Sequence, residues 1–138
     1  MKCSVVYYIA YKTGYIQRNL NKKFRTVPEI NVVSTAAAVS GDDLKEKFGK
    51  AISLIRGKSE AWLMLNFQDN CHMYFKGDGE APCAMIEVKL YGSASPQEYE
   101  ALTNNLTKII SCELNIPESR IYIKYEETAY WGWGGHNF

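Results

Sequence analysis

The apolar positions of this chain fall into two rhythms, one of strands and one of helices, and each occurs twice. Ile30, Val32 and Val33 are strand formers, and Ser34 and Thr35 extend the preference, which predicts a strand over residues 29–35. Ser40 can cap a helix, with Asp42 and Asp43 in its first turn. Leu44, Phe48, Ala51, Ile52 and Ile55 follow at steps of three and four, so one face is apolar, and Gly57 is the natural stop. Residues 61–67 are nearly all apolar, the pattern of a strand covered on both faces. A turn at residues 68–70, a short strand at 71–75 and a glycine-bearing loop at 76–80 come next.

The same order then repeats. Residues 82–90 read as a strand ending at Tyr91-Gly92. Ser95-Pro96-Gln97-Glu98 is a capping box with proline at the first helical position. Tyr99, Leu102, Leu106, Ile109, Ile110 and Leu114 form one stripe, and Asn115-Ile116-Pro117 ends the helix. Residues 121–125 form a fourth strand, 126–128 a turn, and an aromatic, glycine-rich tail follows. Two β-α-β units of about 40 residues each imply an α+β fold. They join as a four-stranded mixed sheet with two helices on one face. Leu63, Leu65, Phe67, Ile121 and Ile123 are rich enough to bury both sheet faces, so the bare face calls for further copies of the chain, an oligomer.

A length of 138 residues suits one domain, with 46% hydrophobic and 22% charged residues. The net charge of +1 gives no reason to expect nucleic acid, and no apolar run is long enough to span a membrane. The charge is uneven. Residues 1–27 hold six basic side chains and no acid, which leaves 10 basic against 15 acidic residues in 28–138. That step marks 1–27 as an extension outside a domain at 28–138. The extension is a weak match to a signal peptide and to a transit peptide, and a translated upstream segment is a third reading. Cytoplasmic placement is the default, with export without a classical signal peptide as the alternative.

Cys3, Cys71, Cys83 and Cys112 are far apart, with no C-x-x-C spacing and no cluster with His72 or His136. Neither a metal nor any other cofactor is called for. Taken singly, Pro28 reads as a strand-opening residue and Lys58 as a charge at a helix C-terminus. Tyr122 and Trp133 read singly as core or interface aromatics.

Taken together, five segments carry more. Pro28, Gly57-Lys58, Glu80-Ala81-Pro82-Cys83-Ala84, the run from Ile116 to Ile123, and Trp131-Gly132-Trp133-Gly134-Gly135 resemble the macrophage migration inhibitory factor family of the tautomerase superfamily. The resemblance covers residues 28–138 and suggests a bacterial-type member. It implies a homotrimer with active sites between subunits. It also implies keto–enol tautomerisation of aromatic 2-keto acids such as phenylpyruvate, and often of dopachrome. In that scheme the nitrogen of an N-terminal Pro28 is the catalytic base. Lys58 binds the substrate carboxylate, the Tyr91 main-chain amide touches the substrate, Tyr122 comes from a neighbouring subunit, and Trp133 is a pocket aromatic. Two positions depart from the pattern. Lys124 stands where an asparagine would touch substrate, and Ile86 replaces the second cysteine of a C-x-x-C begun by Cys83.

Val27 decides how this applies. Acylated by Val27, the Pro28 nitrogen is a tertiary amide without basicity. A GTG start codon, read as methionine at initiation and as valine internally, makes codon 27 the expected start. The expectation is phenylpyruvate tautomerase-type isomerase activity if Pro28 is the mature N-terminus, and no proline catalysis if residues 1–27 are retained. Two alternatives remain open: a catalytically silent, cytokine-like trimer that binds a host protein receptor, and an isomerase of muconate-type diacids using Lys58 and Lys124.

Overall fold

A computed structural model describes residues 27–37 and 41–137. The expectations for residues 1–26 and for the cap Ser40 lie outside these. Four strands build the main sheet: β1 (Pro28–Ser34), β2 (Met64–Gln68), β3 (Ala84–Tyr91) and β4 (Ile121–Thr128). Their order across the sheet is β2-β1-β3-β4. Helix α1 (Gly41–Ala51) links β1 to the parallel β2, and helix α2 (Pro96–Leu114) links β3 to the parallel β4. The two units meet through an antiparallel β1–β3 ladder that pairs Pro28 with Leu90 and Ser34 with Ala84. A two-residue hairpin, β5 (Gly132–Trp133) and β6 (His136–Asn137), forms a second small sheet.

Alternation along β1 and β3 places every second side chain under the helices. Ile30, Val32, Ile86, Val88 and Leu90 are fully buried against Leu44, Phe48 and Ile52 of the first unit and Leu102, Leu106 and Ile110 of α2. Phe48 meets Phe67 edge-on at 5.5 Å between ring centroids. The Ser95 capping box forms as expected. Ser95 Oγ accepts from the Glu98 amide at 3.2 Å, and Glu98 Oε2 accepts from the Ser95 amide at 2.7 Å.

Four expectations about the elements are corrected. First, β2 begins at Met64, because Glu60–Trp62 forms a 3₁₀ turn. Second, residues 71–75 do not form a strand. Within this chain the Cys71 amide donates to the Ser34 carbonyl, at 2.9 Å, and Phe75 bridges to Asp78, with no ladder between them. Third, β4 runs on to Thr128 instead of turning at 126, held by pairing with the whole of β3. Fourth, β2 and β4 are not apolar on both faces. Leu63, Leu65, Phe67, Ile121 and Ile123 all pack on the helix side. The bare face is mixed: the Glu29–Lys89, Glu87–Lys124 and Lys124–Glu126 pairs share it with the exposed Met64 and Tyr122. Among the described residues no helix is long and apolar enough to cross a membrane.

Arg120 fixes the approach to β4. Its guanidinium donates to the Pro82 carbonyl at 2.9 Å, the Ala81 carbonyl at 2.8 Å and the Asp78 carbonyl at 3.2 Å. It also pairs with the Asp78 carboxylate and lies over the Phe75 ring. Removing it leaves several carbonyls of the 78–82 loop without their donor. Arg120→Ala should lower unfolding stability by about 2 kcal/mol, and Arg120→Lys should recover little, since an ammonium cannot reproduce the fork. Urea unfolding of both variants checks this; a loss below about 0.5 kcal/mol for Arg120→Ala contradicts it.

Candidate active site

The first unit delivers Lys58 through a turn. Helix α1 passes into a 3₁₀ turn at Ile52–Leu54, and the chain then reverses over residues 55–58. The Lys58 amide donates to the Ile55 carbonyl at 3.0 Å, and Gly57 takes φ +81, which a β-carbon would strain. The turn aims Lys58 inward. Only 6% of the residue is exposed, and its Nζ donates to the Tyr91 carbonyl at 2.6 Å. Burial disfavours the charged ammonium and brings Lys58 down to about 8 from 10.5.

The second unit delivers Tyr91 as the last residue of β3. Pro28, itself buried, pairs with the preceding Leu90. The ladder continues one residue past Pro28, and the Tyr91 amide donates to the Val27 carbonyl at 3.2 Å. Tyr91 therefore meets both units: its carbonyl takes Lys58 and its amide takes the peptide that acylates Pro28. Trp133 reaches the same end of the sheet from the tail. It meets Trp62 edge-on at 6.1 Å, and Trp62 leads directly into β2, whose Met64 pairs with Glu29.

Pro28, Lys58, Tyr91 and Trp133 are thus gathered at one end of the sheet. Tyr122 and Lys124 are not. Leu90 pairs with Glu127, which sets Lys124 about 10 Å along β4 from the Pro28 level and two strands across, about 10 Å more. Tyr122 lies farther along, 60% exposed, with its ring edge-on to Phe75 at 5.0 Å. Lys124 points from the bare face into the Glu126 and Glu87 carboxylates, and hydrogen bonding to Glu126 raises it above the ordinary lysine value. Within one chain Lys58 and Lys124 do not form a joint diacid site.

Val27, Trp62 and Glu98 contribute contacts that sequence reasoning missed. The Val27–Tyr91 contact follows from the ladder register, which spacing does not reveal. Trp62 sat inside an apolar run that reads as strand. Glu98 was legible as a helix cap, but not its second role: its Oε1 also accepts from the Arg56 amide at 2.8 Å. A cavity of about 340 Å³ opens elsewhere, lined by residues including Thr35, Cys71, His72 and Glu80. It lies beyond the far end of β1, about 20 Å from Pro28. Among the described residues no group of His, Cys, Asp or Glu side chains is placed to hold a metal ion.

A parallel β-α-β pair joined antiparallel to its structural repeat, with helices on one face, is the tautomerase-superfamily architecture. Residues 27–138 match the model of the macrophage migration inhibitory factor family, and the chain belongs to that family. It is 29% identical over 99 residues to macrophage migration inhibitory factor of Xenopus laevis, covering 70% of this chain and 85% of the relative. Its fold is similar to the crystal structure of Leishmania major MIF2, with TM-score 0.74, 27% identity, and 82% and 98% of the two chains covered. It is also similar to the macrophage migration inhibitory factor homologue from Prochlorococcus marinus, with TM-score 0.67, 30% identity, and 80% and 98% covered.

The depressed Lys58 predicts a pH dependence of stability. Between about 8 and 10.5 the unfolded chain holds a proton on Lys58 that the folded chain has lost, so stability from this group rises with pH across that window. Below it, the buried charge opposes folding. Lys58→Met should therefore be at least as stable as the parent at pH 7, with its advantage shrinking by pH 10. Urea midpoints at the two pH values check this; a pH-independent difference contradicts it.

Proposed function

We propose that the domain is a keto–enol tautomerase of aromatic 2-keto acids of the phenylpyruvate type, with dopachrome a further substrate class. It acts as a homotrimer and uses the Pro28 nitrogen as its base when that nitrogen is the chain's N-terminal amine. The observation that carries this reading is that the end of the β1–β3 ladder brings Pro28 beside Leu90 and Tyr91, and that the buried Lys58 reaches the same end through the Tyr91 carbonyl. A free N-terminal amine has an unperturbed pKa of about 8, and burial lowers it toward neutral pH. In enolisation it takes a proton from the carbon beside the keto group while the keto oxygen gains one from water; in ketonisation the protonated amine returns a proton to that carbon and the enol hydroxyl gives its proton up to water, which is general acid–base work.

Lys58 is the counter-charge for the substrate carboxylate. Its ammonium is held by the carbonyl of Tyr91, the residue after the Leu90 that pairs with Pro28, so a bound 2-keto acid would set its carboxylate at Lys58 and turn its acidic carbon toward Pro28. Trp133 and Trp62 supply an aromatic wall. Tyr122 and Lys124, distant in the same chain, would enter the pocket of a neighbouring copy. Trimer formation is supported by the exposure of Tyr122 and Trp133, at 60% and 59%.

A second reading has its own observation. In a chain that retains residue 27, the Val27 carbonyl holds the Tyr91 amide and Pro28 has no basic nitrogen. Such a chain is a silent, cytokine-like binding trimer, and a protein receptor rather than a keto acid is its partner. The extension that precedes the domain would then keep it silent, through the Val27 carbonyl carbon that acylates Pro28.

The test uses a chain that begins at Pro28. It should interconvert the enol and keto forms of phenylpyruvate, and Pro28→Gly should lower kcat/KM by about a hundredfold. Lys58→Ala should raise KM more than it lowers kcat, because a carboxylate contact serves ground and transition states alike. Undiminished activity in Pro28→Gly refutes the mechanism, and inactivity of the Pro28-start chain favours the binding reading.

A further inference from the structure

We propose that Glu98 is a positioning residue for Lys58: its carboxylate ties the turn that aims Lys58 to the N-terminus of α2, and so sets carboxylate binding. The inference rests on the tautomerase reading for its kinetic consequence, but its structural content stands on the contacts themselves.

The turn at residues 55–58 closes through the Lys58 amide and the Ile55 carbonyl, 3.0 Å apart. That closure leaves the amide of Arg56, the residue before Gly57, outside the turn's own hydrogen bond. Glu98 Oε1 accepts from it at 2.8 Å. The other oxygen, Oε2, accepts from the Ser95 amide at 2.7 Å. One carboxylate therefore joins two segments 42 residues apart. In an ordinary capping box the acid serves only its own helix.

The two ties flank the loop from β3 to α2. Lys58 Nζ donates to Tyr91, the last residue of β3, and the Arg56–Glu98 bond joins the turn to the first turn of α2. Gly92, with φ +83, bends the chain between them and donates its amide to the Thr128 carbonyl at 2.9 Å. Lys58 is thus held at its tip by Tyr91 and at its base by a turn that Glu98 fixes. The amide donors hold Glu98 at about 2, with Ser95 first and Arg56 next, so the tie is ionised throughout the neutral range.

Loss of the tie should let the turn loosen and admit water around Lys58. The experiment compares Glu98→Ala, Glu98→Asp and Ser95→Ala, in the full chain for the titration and in the chain that begins at Pro28 for the kinetics. Glu98→Asp keeps the charge at the helix N-terminus but is one methylene too short for Arg56. Ser95→Ala weakens the cap and leaves the Arg56 bond in place. The readouts are KM and kcat on phenylpyruvate, and the titration of Lys58 followed by NMR of isotopically labelled lysine, assigned with Lys58→Met.

Glu98→Ala should raise KM about tenfold with kcat within about twofold. Glu98→Asp should move KM in the same direction by about threefold. Both should shift the Lys58 titration up toward the ordinary lysine value. Ser95→Ala should lower thermal stability while leaving KM and the titration unchanged. A Lys58 titration unmoved in both Glu98 variants overturns the proposal, as does a shift in Ser95→Ala as large as in Glu98→Ala. The titration decides the matter even if the parent chain fails to turn over phenylpyruvate, which would count against the tautomerase reading alone.

Discussion

The antiparallel ladder between β1 and β3 is the contact on which the rest of the molecule depends. Each β-α-β unit is internally parallel, and only this ladder makes one sheet of the two. It buries Ile30, Val32, Ile86, Val88 and Leu90 beneath both helices, so it is also the centre of the core. Its end at Pro28 and Leu90 sets what can happen next to it. Extended by one residue, it runs through Val27 and Tyr91. The same hydrogen-bonding pattern that builds the fold therefore decides which groups a ligand could reach.

Lys58 shows how the fold reaches chemistry from this joint. An amine buried to 6% exposure is a costly element in any core, and it lowers stability while it is charged. It is held there by a glycine turn at one end and a strand carbonyl at the other. Ordinary packing would favour an apolar side chain. A charge kept in a desolvated place beside a strand end is a means of attracting an anion, because its field there is poorly screened. The carboxylate of a keto acid is such an anion.

Much of this architecture was legible in the sequence, because both helices carry clean apolar stripes and one begins with a full capping box. The strands were located well where alternation was strict, as in β1. They were misjudged where apolar residues clustered. Ala61 and Trp62 looked like strand, yet Trp62 turns aside to meet Trp133. Leu65, Phe67 and Ile123 suggested two buried faces, but alternation sends all three to the helix side and leaves opposite a face of ion pairs with Met64 and Tyr122 exposed among them. Residues 71–75 have strand composition but only isolated pairing within the chain, which composition cannot report. The site was legible as residue types through the family resemblance. Its connections were not: Val27 to Tyr91 depends on register, and Glu98 to Arg56 joins residues 42 apart.

Pro28 is therefore both the first residue of the central ladder and the group whose chemistry depends on a single peptide bond. The most direct measurement compares phenylpyruvate ketonisation by two otherwise identical chains, one beginning at Pro28 and one beginning at Val27, each with its N-terminus verified by mass spectrometry. Catalysis is expected from the first and a rate at the buffer background from the second, although both fold. Equal rates from the two chains would contradict that expectation.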